Sequence, residues 1–440
     1  DVQCGSTLTL GSSGKTVSLA SGAAQTGFGR TGTVNWCTTA KTSPLTVASG
    51  NGYFVNTSGG AITVTLPSSP SAGDIVAFKD YANTWDSNNV TIARGGSKIN
   101  GECRNATLST ESQSVTLIYV DGTKGWQDIH DSTANVTGAP AYVVATGGTI
   151  LTCGDHKTHI FTADSTFTVT NGGAACGSNT VDYFVIAGGA GGNTWGGGGG
   201  GAGGFRLSNS LSVPAPTMSP LINPSGLPVP TAAYPITVGA GGPGATNGAV
   251  STFSTITSTG GGHGGFDCES AEPGGSGGGG PRCTGKSIGN GNTPPVSPPQ
   301  GNNGGTGGTG PAGYFGGGGG GAGAVGNSFT GPNDGGPGGV GSFIADTVFG
   351  PTAPSYGSPG PVSSTRYFSG GGSGANVATG ASTGGSGGGG STSPGGATDG
   401  TTNTGGGGGA AYAPTPSSNT AGASGAGGSG FVAIRYKFQN

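Results

Sequence analysis

The sequence predicts a mostly β protein with almost no α-helix. Short-strand β modules lead into a glycine-rich domain of packed polyglycine II helices with long loops. Three observations predict this. Threonine-rich alternation runs through the first 186 residues, with no long stretch of helical period. Glycine is divided unevenly: of 104 in the chain, 24 fall in residues 1–186 and 104 − 24 = 80 in 187–440. The chain closes on a strand-like phrase, "GSGFVAIRYKFQN".

Composition narrows the function. Only 8% of the 440 residues are charged and the net charge is −3, so there is no basic field to hold nucleic acid. Nothing resembles an apolar membrane span or a signal-peptide core. A start at Asp1 rather than Met leads us to expect a leader or a longer N-terminal part upstream.

Taken in order, residues 1–45 ("STLTLGSSGKTVSLASGA") read as a short repeat of strands and turns. Residues 46–135 form a β module: "AITVTLP" alternates Ile62, Val64 and Leu66 with threonines, and "DIVAFKDY", "NVTIARGG" and "SVTLIYVDGTKGW" continue the pattern. Residues 136–187 form a second small β unit that runs into glycine through "VDYFVIAGGAGG". From 188 to 440 glycine runs alternate with Pro/Ser/Asn/Thr loops, ending in a strand over 431–438. "NTWGGGGGGAGGF", "GYFGGGGGGAGAV" and "NTGGGGGAAYA" share a polar or aromatic entry, a glycine run, then a small and an apolar residue.

Nearly one-third glycine suggests collagen, yet runs such as Gly196–Gly201 break a Gly-X-Y period. Glycine loses more backbone freedom on folding than any other residue and has no side chain to bury. Order must therefore come from backbone hydrogen bonds and close backbone packing. Extended helices of three residues per turn have no internal bonds, but side by side they can satisfy one another, and a missing Cβ permits the approach. Trp195, Phe205, Tyr314 and Phe315 flank the runs and are expected to anchor them.

The phrases "VDYFVIAGGAGGNTWGGGGGGAGGF", "YPITVGAGGPG", "STFSTITSTGGG" and "GGSGFVAIRYK" resemble the glycine-rich distal domain of tailed-phage tail fibres. "GYFVNTSGGAITVTLPSSPSAGDIVAFKDYANTWDSNNVTIA" resembles β modules of tail fibres from marine and other environmental phages. The resemblance implies polyglycine II helices packed as a sandwich, with variable end loops touching a host outer-membrane protein or surface glycan. It also implies a homotrimer joined to other virion tail proteins, located in the virion. This chain departs from the pattern in carrying β modules beside the glycine domain. A secreted bacterial fibre or adhesin is the alternative reading, and a glycan depolymerase the second.

Recognition is expected in loops 207–234, 266–303, 343–368 and 411–420. The third holds Phe349, Tyr356, Arg366, Tyr367 and Phe368, residue types that carry contact energy, with Tyr356 expected as the exposed tip. Tyr412 in the fourth is the same type. Tyr367 and Phe368 could equally anchor the next glycine run. Among seven cysteines, Cys153 with Cys176, Cys268 with Cys283, and Cys4 with Cys37 are the nearest candidate disulfides, with reduced thiols the alternative.

No cofactor, metal or enzymatic activity is expected. "GPRCTGKS" (280–287) fits the phosphate-loop pattern but lies between glycines and prolines, where no helix can present its N-terminus. "CGDHKTH" places Cys153, His156 and His159 together without a fourth ligand, and the histidines read as surface strand residues. "NDGGPGGVG" lacks the periodic aspartates of calcium repeats. The sites at Asn56, Asn89, Asn105 and Asn135 are ordinary in a threonine-rich chain. Glu269 and Glu272 lack an apolar wall that would raise a pKa.

Overall fold

The computed structural model describes residues 34–131, 142–174, 177–211, 213, 218–310, 313–329, 334–376, 380–394, 396–411 and 422–439. The chain divides into two units, 1–139 and 140–440.

In the first unit the chain passes alternately between two sheets. Strands β1 (Asn35–Lys41), β3 (Asn51–Val55) and β5 (Ile75–Asp80) lie parallel in one, followed by the antiparallel β8 (Ser114–Asp121) and β9 (Gly125–Asp131). The other takes β2 (Leu45–Thr46), β4 (Ile62–Thr65) and β6 (Val90–Ala93) in parallel, then β7 (Ala106–Leu108). Alternation fills the space between them with Tyr53, Val55, Val76, Phe78, Ile62, Val64, Val90 and Ile92. Trp85 and Trp126 are fully buried there, and the Trp85 indole donates to the Val55 carbonyl at 3.2 Å. Because β1 pairs with β3 across Asn35–Asn51, residues 35–41 belong to this module. The expected boundary at 45 is corrected.

The second unit stacks two sheets. One holds β10 (Val143–Thr146), β13 (Ser165–Gly172), β18 (Ala232–Thr237), β19 (Ser251–Phe253) and β20 (Ile256–Ser258). The other holds β11 (Thr149–Cys153), β12 (His156–Phe161), β14 (Thr180–Ile186), β15 (Phe205–Ser208), β16 (Ile222–Asn223), β17 (Leu227–Pro228) and β27 (Phe431–Lys437). Three short hairpins, β21–β22 (Gly308–Gly310, Gly313–Phe315), β23–β24 (Ser342–Ala345, Thr365–Phe368) and β25–β26 (Thr392–Ser393, Gly396–Ala397), lie between these strands in sequence.

Strands β14 and β27 are buried on both faces over Tyr183–Ile186 and Phe431–Ile434, which explains the apolar run in each. Val181, Tyr183, Val185, Val432, Ile434 and Tyr436 meet the five-stranded sheet. Phe184, Ile186, Phe431 and Ala433 face the opposite way, into a second core with Phe205, Phe349 and Phe368. Residues 142–187 therefore share sheets with residues up to 437, and the expected separate unit over 136–187 is corrected.

Beyond these strands the glycine tracts form a laced bundle. Helix 197–204 shows the bonding rule. The amides of Gly198, Gly201 and Gly204 donate to Gly265, Gly262 and Thr259 at 3.0, 2.9 and 2.8 Å. Those of Gly199 and Ala202 donate to Gly317 and Gly320, both at 3.0 Å, and those of Gly200 and Gly203 to Gly408 and Gly405 at 2.9 and 2.8 Å. Each third residue thus addresses the same neighbour, the signature of three residues per turn. Its carbonyls accept from three more segments: Ala187, Ala190 and Asn193; Ser276 and Gly279; Gly372 and Ala375. Six segments surround one helix. No residue of 197–204 has a positive φ. A Cβ on Gly198, Gly199, Gly200 or Gly201 would land on the carbonyl oxygen of Gly279, Gly372, Ala190 or Ser276. These are packed polyglycine II helices, with glycine required by the backbone spacing.

Candidate functional site

The hydrogen-bond register separates the two ends of the bundle. Helix 197–204 starts at the reversal Asn193–Gly197 and ends at Phe205, the first residue of β15. Since Gly198 meets Gly265 and Gly204 meets Thr259, residue 265 lies at the reversal end and 259 at the strand end. The same logic through Gly279, Gly317 and Ala375 places 266–271, 281–287, 308–310, 313–315, 376 and 380–382 at the reversal end. The described parts of loop 207–234 (207–211, 213 and 218–234) and loops 293–299 and 343–368 leave the strand end.

Loop 343–368 is therefore not a tip. Its 3-10 helices, Asp346–Val348 and Gly350–Ser355, and hairpin β23–β24 cover the outer face of β14 and β27. Phe349 and Phe368 are buried at 1% and 0% exposure, because Phe184, Phe205 and Phe431 need a covering layer, and Tyr367 is buried at 3% with its ring 5.1 Å from Phe343. Tyr356 is half-buried with its ring 5.1 Å from Phe349 and 5.6 Å from Phe431, which corrects its placement as an exposed tip. Arg366 closes the loop on itself, donating from Nε to the Tyr356 carbonyl at 2.6 Å and from Nη2 to Gly357 at 2.9 Å. Phe349, Phe368 and Tyr356 pack in or against this core, Arg366 braces the loop, and Tyr367 is buried against Phe343. Tyr412 lies outside the described residues.

The exposed chemistry sits at the reversal end. Trp195 (φ 56°) and Gly196 (φ 63°) turn the chain through two successive left-handed residues, and Asn193 braces them by donating to the Gly264 carbonyl at 3.0 Å. A Cβ on Gly196 would touch both Arg282 and Tyr314 at 3.1 Å, so those residues stand directly beside the turn. The Arg282 guanidinium lies 4.0 Å from the Tyr314 ring centroid and is ion-paired with Asp267. Tyr314 and Phe266 are each 37% exposed, and Trp195 is half-buried. Of the four expected anchors, Phe205 and Phe315 are buried, at 1% and 0%. Strand alternation in β22 explains the pair: Phe315 turns inward to stack on Phe329 at 5.8 Å, and Tyr314 turns out.

Cys268 and Cys283 form a disulfide with Cα atoms 5.0 Å apart, joining the two loops that carry Asp267 and Arg282. Their sulfurs lie within 4.8 Å of an Asp267 oxygen, but they are bonded to each other and Asp267 is held by Arg282. Cys37 and Cys153 are free thiols, so the Cys4–Cys37 and Cys153–Cys176 pairings are corrected; Cys4 and Cys176 themselves lie outside the described residues. Cys103 is disulfide-bonded.

His159 corrects the surface reading of the "CGDHKTH" histidines. It is fully buried, Nδ1 donating to the Gly147 carbonyl at 2.7 Å and Nε2 accepting from the Tyr436 hydroxyl at 3.0 Å. Burial pushes its pKa down, against the bond to Gly147. The phosphate-loop lookalike 280–287 is the Cys283 loop at the tip, without a helix after it. Glu269 and Glu272 are both exposed.

The tip thus presents ring faces and one guanidinium on a braced support, an arrangement suited to non-covalent contact. Its sequence signal was the cysteine pair flanking a glycine tract.

Residues 162–437 match a family model described as a glycine-rich domain. A comparison with curated proteins gives no match.

Proposed function

Because this chain belongs to the glycine-rich domain family, and its tracts support an exposed aromatic and arginine cluster, we propose that it is a distal tail-fibre adhesin of a tailed bacteriophage. It acts by non-covalent attachment to a host outer-membrane protein or surface glycan. The observation that carries the reading is the reversal-end cluster of Trp195, Phe266, Arg282 and Tyr314, held by the Cys268–Cys283 bridge on the glycine lattice. Rigid aromatics and a pre-oriented arginine give contact energy at low entropic cost. Association as a homotrimer on the fibre, joined to other virion tail proteins, would multiply weak single contacts into firm attachment.

Binding of the purified full chain to intact bacterial cells tests the proposal. Removing a hot-spot pair of this kind costs on the order of 2 kcal/mol or more, about thirtyfold in affinity. R282A/Y314A should therefore lose most cell binding while keeping its unfolding midpoint. Full binding by a folded R282A/Y314A variant removes the tip as the contact site.

A further inference from the structure

We propose that the outward face of the β1–β3–β5–β8–β9 sheet is a second binding platform, for a neutral hexose glycan. This is independent of the tip and of the reading given to it.

The register lays the face out in rows. Trp36, Gly52, Ala77, Thr116 and His130 are cross-strand neighbours through successive pairings, and Phe54 and Lys79 lie in the adjoining row. The opposite face of these strands, with Tyr53, Val55, Val76, Phe78, Val115 and Leu117, supplies the core. The outward rows carry the partly exposed side chains, with Gly52 and Ala77 buried among them.

Two large aromatics nevertheless stand on this side. Trp36 is 41% exposed and Tyr81, just past β5, is 57% exposed. Phe54 joins them, its ring centroid 5.0 Å from Trp36 and 6.4 Å from Tyr81. Gly52 explains how Trp36 is seated. A Cβ there would fall 2.7 Å from Cδ2 and Cε3 of the indole, so the ring rests on bare β3 backbone. Glycine is unfavourable in a strand interior, where it commonly marks a close approach. Here it lowers the floor beneath a ring whose exposed surface is turned to solvent.

The chemistry selects the occupant. Aromatic faces are electron-rich and attract the weakly positive C–H faces of a pyranose ring. The half-buried Thr116 and the exposed His130 continue the Trp36 row beyond the buried Gly52 and Ala77, with groups to meet sugar hydroxyls. Lys79, in the adjoining row, keeps its charge and directs one of its donors at the Ser112 carbonyl, leaving others for sugar hydroxyls. A second copy of the chain fits less well. The partly exposed Trp36 and Tyr81 offer on the order of 200–300 Å², against roughly 800 Å² per partner in a stable interface. Ile118 and the exposed Val120 on β8 add to this apolar area, and the remainder is mostly small or polar.

Affinity electrophoresis of the full chain through gels containing hydroxyethylcellulose, galactomannan or dextran tests this. At least one of these polysaccharides should retard the protein. W36A and Y81A should each weaken that retardation at least tenfold, and R282A/Y314A should leave it unchanged. Tyr81 lies outside every strand, so Y81A keeps the test valid if W36A disturbs edge strand β1. The proposal is overturned if none of the three polysaccharides retards the chain, or if both single variants run like the parent. It is also overturned if sedimentation shows that W36A and Y81A dissociate an oligomer.

Discussion

The carbonyl of Gly200 accepts the amide of Gly372 at 2.9 Å, although the two residues stand 172 positions apart in sequence (372 − 200). Gly200 also donates to Gly408, so this one residue joins three segments. A side chain cannot enter such a contact without parting backbones. A Cβ on Gly200 would meet the Ala190 carbonyl, and backbone yields less readily than a side-chain tip. G200V should destabilise the second unit by about 3 kcal/mol or more. G59A is the control, since nothing lies within 4 Å of a Cβ at that position; it should change stability by less than about 1 kcal/mol. Denaturant unfolding measures both. Equal midpoints for G200V and the parent would show that the lattice does not require bare backbone.

Phe368 illustrates a different source of stability. Its ring packs 4.9 Å from Phe184 and 5.4 Å from Phe431, at full burial. F368A should cost about 3–5 kcal/mol, the range for deleting a buried phenylalanine. R366A should cost less, since it removes ties within one loop. Chemical denaturation checks the order. Normal stability of F368A with loss of cell binding would return loop 343–368 to the recognition surface.

The two readings of that loop show what composition could and could not convey. Tracts such as Gly196–Gly201 announced the lattice because only mutual backbone bonding can order bare chain. The phrase at 181–186 likewise announced a β unit running into the glycine tracts. Phe349 and Tyr356 were expected outside because an aromatic in a Pro/Gly-rich loop looks the same whether it meets solvent or a sheet, which is also why Tyr367 and Phe368 carried two readings. The end of the bundle on which a loop emerges depends on how many tracts precede it and on their registers. Those are relations between distant segments such as Gly199 and Gly317, and local pattern does not encode them. The parallel alternation of β1, β3 and β5 was hidden for the same reason.

The Cys268–Cys283 bridge closes a loop with a sequence separation of 15, for which chain entropy gives about 3 kcal/mol. Both cysteines stand in loops at the reversal end, so the effect should be local. Reduction, or C268S/C283S, should increase proteolytic cutting within 266–286 and weaken cell binding several-fold. The strand-end core should hold. Peptide mapping after limited proteolysis reads the first effect and cell adsorption the second. Unaltered cutting and binding after complete reduction would leave the bridge without a role in shaping the tip.

His159 makes the second unit sensitive to acid. Burial, opposed by the Gly147 bond and reinforced by nearby Lys157, holds its pKa below the ordinary value of about 6.5. His156 moves the same way, first through burial and then through Arg435. With the folded pKa depressed, the unfolded chain binds more protons once pH falls below about 6.5. Stability is therefore full above that value and declines as pH drops towards the folded pKa, by at most about 1.4 kcal/mol per pH unit for each group. The unfolding midpoint should be lower at pH 5.5 than at 7.5. H159Q retains hydrogen-bonding capacity towards Gly147 and Tyr436 without titrating, so it should flatten much of that difference, leaving the part due to His156 and the carboxylates. An identical acid response in H159Q and the parent would show that the His159 proton is not the source of the loss.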